Sequence, residues 1–136
     1  MRIMLDTNVL ISMILFPREQ FSQMLDYITH NHTLVLSSFI IEEMEAVVER
    51  KFPSKKGCLM RFLSSLNYEL ILTPHKMKPN LFEIRDPNDY PVLYSAIIGS
   101  IDILLTGDKD FKNISIEKPE ILSPSDFVLK YLSTIF

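Results

Sequence analysis

A short apolar run that ends abruptly in polar residues and resumes at helical spacing does most to limit the folds open to this chain. Ile3, Met4 and Leu5 form the run, Asp6-Thr7-Asn8 form the corner, and Val9 begins the helical pattern. A buried strand that turns at once into a helix opens an α/β unit. In an open parallel sheet, ligands bind outside the carboxyl ends of the strands. Asp6 stands at such an end.

The same alternation continues along the chain. Residues 9–15 read as a short helix stopped by Pro17. Phe21, Met24, Leu25 and Ile28 recur at helical spacing, in a second helix ending near His30-Asn31. Residues 33–36 form a second buried strand. Ser37 or Ser38 can cap a helix that runs to about Lys51, with Ile40, Ile41, Met44, Val47 and Val48 as its stripe. Pro53 and Ser54 break the chain, and residues 55–66 form another helix through Leu59, Phe62, Leu63 and Leu66. Residues 68–72 are a third strand.

Residues 73–88 hold three prolines and make the longest irregular stretch. Pro91 suits the first turn of a helix, where its missing N–H is no loss, and that helix runs to Ile98 with Gly99 as its stop. Residues 103–105 are a fourth strand, followed by Thr106-Gly107-Asp108-Lys109-Asp110-Phe111. Residues 120–122 form a short edge strand. Pro124 and Ser125 introduce a last helix carrying Phe127, Val128, Tyr131 and Leu132. Strands alternating with helices predict an α/β protein with a mostly parallel sheet covered on both faces. Without repeats or a linker, residues 1–136 are expected to be one domain.

In a parallel sheet with right-handed crossovers, every strand-to-helix corner lies on one edge. Asp6 follows the first strand, Glu43 lies early in the helix after the second, Asp89 opens the helix after the third, and Asp108 follows the fourth. Connectivity alone therefore brings four acids to one rim. Each has a plainer explanation. Asp6, Asn8 or Asp89 can cap a helix, Glu43 suits a helix dipole, and Asp108 suits a turn. Jointly, four like charges are costly unless protonated or met by a cation. Glu43 and Glu45 both border the apolar stripe, and Glu43 is nearer the rim. Asp86 and Asp89 pose the same choice, and Asp110 is an auxiliary acid. Oxygen donors without Cys or clustered His select Mg²⁺ or Mn²⁺, one ion or two. The matching reaction is metal-assisted phosphodiester hydrolysis.

At these residues the sequence resembles a PIN domain, and within that family the toxin-type (VapC-like) proteins of bacterial toxin–antitoxin pairs. The likeness is carried by Met4-Leu5-Asp6-Thr7-Asn8-Val9-Leu10, by Ser37-Ser38 with Glu43-Met44 downstream, and by Arg85-Asp86-Pro87-Asn88-Asp89 leading through Val92-Leu93 to Ala96. Leu105-Thr106-Gly107-Asp108-Lys109-Asp110-Phe111 and Pro124 complete it. The resemblance implies a Rossmann-like three-layer α/β/α sandwich with strand order 3-2-1-4-5, and an Mg²⁺- or Mn²⁺-dependent ribonuclease. Its acids fall on Asp6, Glu43, Asp89 and Asp108, and its supporting polar positions on Asn8, Ser38 and Thr106. Tyr90-Pro91 departs from the helix formers usual at that place. The resemblance also implies a homodimer and an antitoxin that covers the rim. A non-enzymatic interaction module of the same fold is the alternative. A haloacid-dehalogenase phosphatase would need an acid where Asn8 stands, and a phospho-receiver would need one where Leu5 stands.

With 14 basic and 17 acidic side chains, the net charge is −3. The overall field repels nucleic acid, so RNA must find a local basic route. Arg50, Lys51, Lys55, Lys56 and Arg61 offer one, with a solvated helix face as the plainer reading; Lys109 and Lys112 lie beside the rim. Phe16, Phe21, Met60 and Phe62 suit either a partner surface or ordinary core. His30, His32 and His75 share no metal spacing. A lone Cys58 fits a reducing compartment. The early start of the first strand leaves no room for a signal peptide, and no run nears the ~20 apolar residues of a membrane span. The expectation is a cytoplasmic protein.

Overall fold

The computed structural model describes residues 1–111 and 113–132. Its centre is a five-stranded, all-parallel sheet of β1 (Arg2–Leu5), β2 (Thr33–Ser37), β3 (Glu69–Ile71), β4 (Ile103–Leu105) and β5 (Glu120–Leu122), in the order 3-2-1-4-5. The sequence makes β1 central because it is apolar on both faces. Ile3, Met4 and Leu5 are wholly buried, as are Val35, Leu36, Leu104 and Leu105 beside them. Register aligns Met4 with Val35 on one side and with Leu104 on the other.

Six α-helices surround the sheet among the described residues: α1 (Thr7–Leu15), α2 (Glu19–Asn31), α3 (Ser38–Lys51), α4 (Lys56–Ser65), α5 (Tyr90–Ile98) and α6 (Pro124–Phe127), the last continuing as π-helix over Val128–Leu132. The chain moves outward through β1, β2 and β3, then reverses to β4. That reversal sets β1 between β2 and β4 at the middle of the sheet. Asp6 caps α1, its side chain accepting from the Thr7 amide, and Ser37 caps α3 by accepting from the Ile40 amide. No helix among the described residues is long and apolar enough to cross a membrane.

Gly99 stops α5, but not through a left-handed conformation. Its φ is −82°, and Ser100 takes the positive φ of 54°. A Cβ at Gly99 would lie 2.6 Å from Ile71 Cδ1 and 3.0 Å from the Ser95 carbonyl. The glycine is there for room. The irregular stretch before α5 is tied down by aromatic side chains. Phe82 stacks on Tyr90 with centroids 4.4 Å apart, Tyr90 stacks on Tyr94, and the Tyr90 hydroxyl donates to the Lys78 carbonyl. A 3₁₀ turn, Pro87–Asp89, leads into α5, so Tyr90 is its first residue and Pro91 its second.

Candidate metal centre

The site is assembled by the two strands at the middle of the sheet. The Asp6 amide donates to the Leu105 carbonyl at 2.9 Å, and the Thr106 amide donates to the Leu122 carbonyl at 3.0 Å. These bonds extend the ladders one residue past the strands and set Asp6 beside Thr106. The Thr106 hydroxyl then donates to Asp6 Oδ2 at 2.8 Å, and Asp6 Oδ1 accepts from the Thr7 amide at 2.7 Å. Asp6 is 5% exposed, so both oxygens are satisfied by protein rather than by bulk water.

Three further segments bring acids to this point. Glu43 accepts at Oε1 from the Thr7 hydroxyl at 2.5 Å, one residue from Asp6, whereas Glu45 is exposed. Helical periodicity did not separate the two; a tertiary hydrogen bond does. The Thr106 hydroxyl also accepts from the Asp108 amide at 3.0 Å, and Asp108 Oδ1 accepts from the Asp110 amide at 2.8 Å. The buried ring of Phe111 anchors the 3₁₀ turn Lys109–Phe111 that follows. From the other side, Asp86 accepts from the Asn88 amide at 2.9 Å, shaping the turn that presents Asp89. Asp89 makes no capping bond of its own. Carboxylate oxygens of Asp86, Asp89 and Asp110 lie within 4.8 Å of one another. Asp86 and Asp89 thus stand side by side.

The crowding has an electrostatic signature. Burial pushes the Asp6 carboxyl up to about 6; hydrogen bonds from Thr106 and Thr7 oppose the rise, and the charges of Glu43 and Asp108 add to it. Burial also pushes Asp89 up to about 7, with Asp108, Asp86 and Asp6 repelling its ionised form. Asp89 Oδ2 is buried and has no hydrogen-bond partner. An all-carboxylate donor set with an unsatisfied buried oxygen fits a hard divalent cation. Among the described residues the acids close enough to share an ion are Asp86, Asp89 and Asp110, of which sequence reasoning expected only Asp89 and, as an auxiliary, Asp110; the expected Asp6, Glu43 and Asp108 stand beside them, within reach of one another's charge.

Of the supporting polar positions, Thr106 lies at the centre. Asn8 is exposed on the first turn of α1. Ser38 is turned elsewhere: its hydroxyl accepts from the Thr73 amide at 2.8 Å, and Thr73 in turn bonds Ser95 on α5. Lys109 is exposed beside Asp108. Lys112 lies outside the described residues. Arg50 and Lys51 occupy the last turn of α3. At 1.5 Å per residue they are about 10–12 Å beyond Glu43 along the helix axis. Sequence reasoning missed Thr7 as the donor to Glu43, and it missed Arg85, whose guanidinium lies 3.7 Å from Asp110. Phe16 and Met60 stand exposed, while Phe21 and Phe62 help to line a small cavity between helices.

The class is that of parallel α/β/α sandwiches with an acidic rim at the carboxyl ends of the central strands. Within that class, a family model described as a PIN domain matches residues 2–110, and the chain belongs to the PIN domain family. A chain in the crystal structure of VapBC2 from Rickettsia felis bound to a DNA fragment from their promoter is similar in structure. Its TM-score is 0.70 at 25% sequence identity, covering 90% of this chain and 98% of that one. The two findings bear out the VapC-like PIN resemblance read from the motifs. No curated protein matches the sequence.

Proposed function

We propose that the protein is an Mg²⁺- or Mn²⁺-dependent endoribonuclease, the toxin of a type II toxin–antitoxin pair, with residues 1–136 forming one PIN domain. Asp6, Glu43, Asp89 and Asp108 are its catalytic, metal-holding carboxylates, and Asp110 is auxiliary. The observation that carries this reading is the crowding itself. Burial and the charges of neighbouring acids push the Asp6 and Asp89 carboxyls up, and Asp89 keeps a buried oxygen without a donor. A divalent cation relieves both costs. When bound, it supplies an activated water and neutralises charge on the phosphate.

The chain's own groups prepare the site. Thr106 and the Thr7 amide hold Asp6 in one orientation, and the Thr7 hydroxyl holds Glu43 beside it. Asp108 is fixed by the turn it caps, which also presents Lys109 as an RNA contact. Likeness to a chain of the VapBC2 complex supports a protein antitoxin as partner. A homodimer and a cytoplasmic setting complete the reading.

The test is cleavage of single-stranded and structured RNA with Mg²⁺ or Mn²⁺, with chelator, and by Asp6→Asn. Wild type should cut with metal, and chelator or Asp6→Asn should slow cutting by about 100-fold or more. Metal should also raise the melting temperature of wild type, and raise that of Asp6→Asn much less. Equal metal-induced shifts in the two proteins would remove the shared centre. Metal binding without cleavage of any RNA would leave a non-enzymatic interaction module.

A further inference from the structure

Arg85 immediately precedes the Asp86-capped turn. The Asp86 side chain accepts from the Asn88 amide and its carbonyl from the Asp89 amide, so the backbone at Arg85 is fixed against two acids of the rim. Its side chain is not fixed. Arg85 is 88% exposed, and its Nη1 lies 3.7 Å from Asp110 Oδ1, too far for a hydrogen bond. Among the ion pairs of the described residues, this is the one that touches the acid cluster; the others are Arg2–Glu69, Lys118–Asp102 and Lys130–Glu120. A long, solvated side chain held by one loose pair can be redirected at little cost.

The chain has a net charge of −3, and Arg50 and Lys51 lie about two helical turns beyond Glu43, at the end of α3. A polyanion reaching this edge therefore needs a cation rooted at the edge itself. A guanidinium matches phosphate with a two-pronged fork, whereas the neighbouring Lys109 offers only a point charge. We propose that Arg85 is a substrate-binding residue that exchanges Asp110 for a phosphate of the RNA strand lying across the acid rim. Asp110 is the resting partner, and a cation drawn into the cluster competes with Arg85 for it. This inference rests on the ribonuclease reading and adds to it a named contact with the RNA backbone.

The experiment measures binding of a short fluorescein-labelled single-stranded RNA by anisotropy over a potassium chloride series. Ca²⁺ replaces Mg²⁺, and a gel checks that the probe stays intact. Wild type, Arg85→Ala, Arg85→Lys and Arg50→Ala are compared, with a thermal melt of each. Arg85→Ala should bind several-fold more weakly, and its slope of log affinity against log salt should shrink by about 0.7, as for one lost single-strand phosphate contact. Arg85→Lys should recover the slope, Arg50→Ala should match wild type, and all four should melt together. RNA binding by wild type with the same affinity and slope in Arg85→Ala overturns the role of Arg85 alone. A lowered melting temperature in Arg85→Ala, with no recovery by Arg85→Lys, overturns it in favour of a structural pair. Failure of wild type to bind any RNA overturns both this contact and the ribonuclease reading.

Discussion

Asp6 keeps its proton to about pH 6 and Asp89 to about pH 7, against an ordinary value of 3.8 for the same group in an unfolded chain. Between those limits the folded protein binds more protons than the unfolded one. Stability of the metal-free protein therefore falls as pH rises from about 4 through 7, the reverse of an aspartate held by a salt bridge. For Asp6 alone the cost is about 3 kcal/mol once the group is ionised. Asp102 and Glu120 are shifted downward by their hydrogen-bond donors, and their contribution is lost only below the usual carboxylate range. Thermal melts in chelator should show stability declining from pH 5 to pH 7.5, and Asp6→Asn should flatten the decline. Millimolar Mg²⁺ or Mn²⁺ should remove most of it in wild type. Thr106→Val deletes the donor that steadies ionised Asp6, so its metal-induced rise in melting temperature should need a higher pH. At this scale the sequence was readable where one residue had one role. Asp6 and Asp108 follow strands, and their position is a matter of connectivity. Glu43 was not separable from Glu45, because 3.6-residue periodicity sets both at the stripe's border and the deciding bond comes from Thr7.

Gly99 shows how an element boundary can be anticipated for an incomplete reason. A glycine after an apolar helical run signals a stop, and α5 does end there. The cause is the close approach of Ile71 on β3, a contact invisible in the local pattern. Gly99→Ala keeps a permitted backbone but drives a methyl into Ile71 Cδ1. It should cost about 1–3 kcal/mol in urea denaturation. Ile71→Val removes that terminal carbon and should return part of the loss in the double variant, while either alone destabilises. The strands themselves were legible as apolar runs between turn residues. Their order was not, because periodicity reports a face and says nothing of neighbours; 3-2-1-4-5 came with the family resemblance. The turn before α5 was hidden for a similar reason, since the Asp86 side chain shapes it and prolines at both 87 and 91 obscure the helix start.

Across the whole molecule, the acids of the rim and the basic end of α3 are separate groups. Acids gather at the carboxyl edge, and Arg50 and Lys51 sit at the far end of α3, about 10–12 Å along its axis from Glu43. A short RNA engaged at the acids should not feel that basic end. Charge reversal of Arg50 and Lys51 should therefore leave its cleavage rate unchanged. Lys109→Glu should slow it several-fold and weaken its dependence on salt. Sequence alone offered both groups, because a run of Lys and Arg carries no information about its distance from the acids.

The hydrogen bond from Thr106 to Asp6 joins residues 100 positions apart, and β1 finds its second neighbour only when β4 has been made. Contacts of such separation form late, after the intervening chain has closed its loop. While a ribosome is still extending the chain, Asp6 and Glu43 wait without Asp108. For the proposed RNA cutter, a growing chain carries no finished blade until the segment with β4 and Asp108 has left the ribosome.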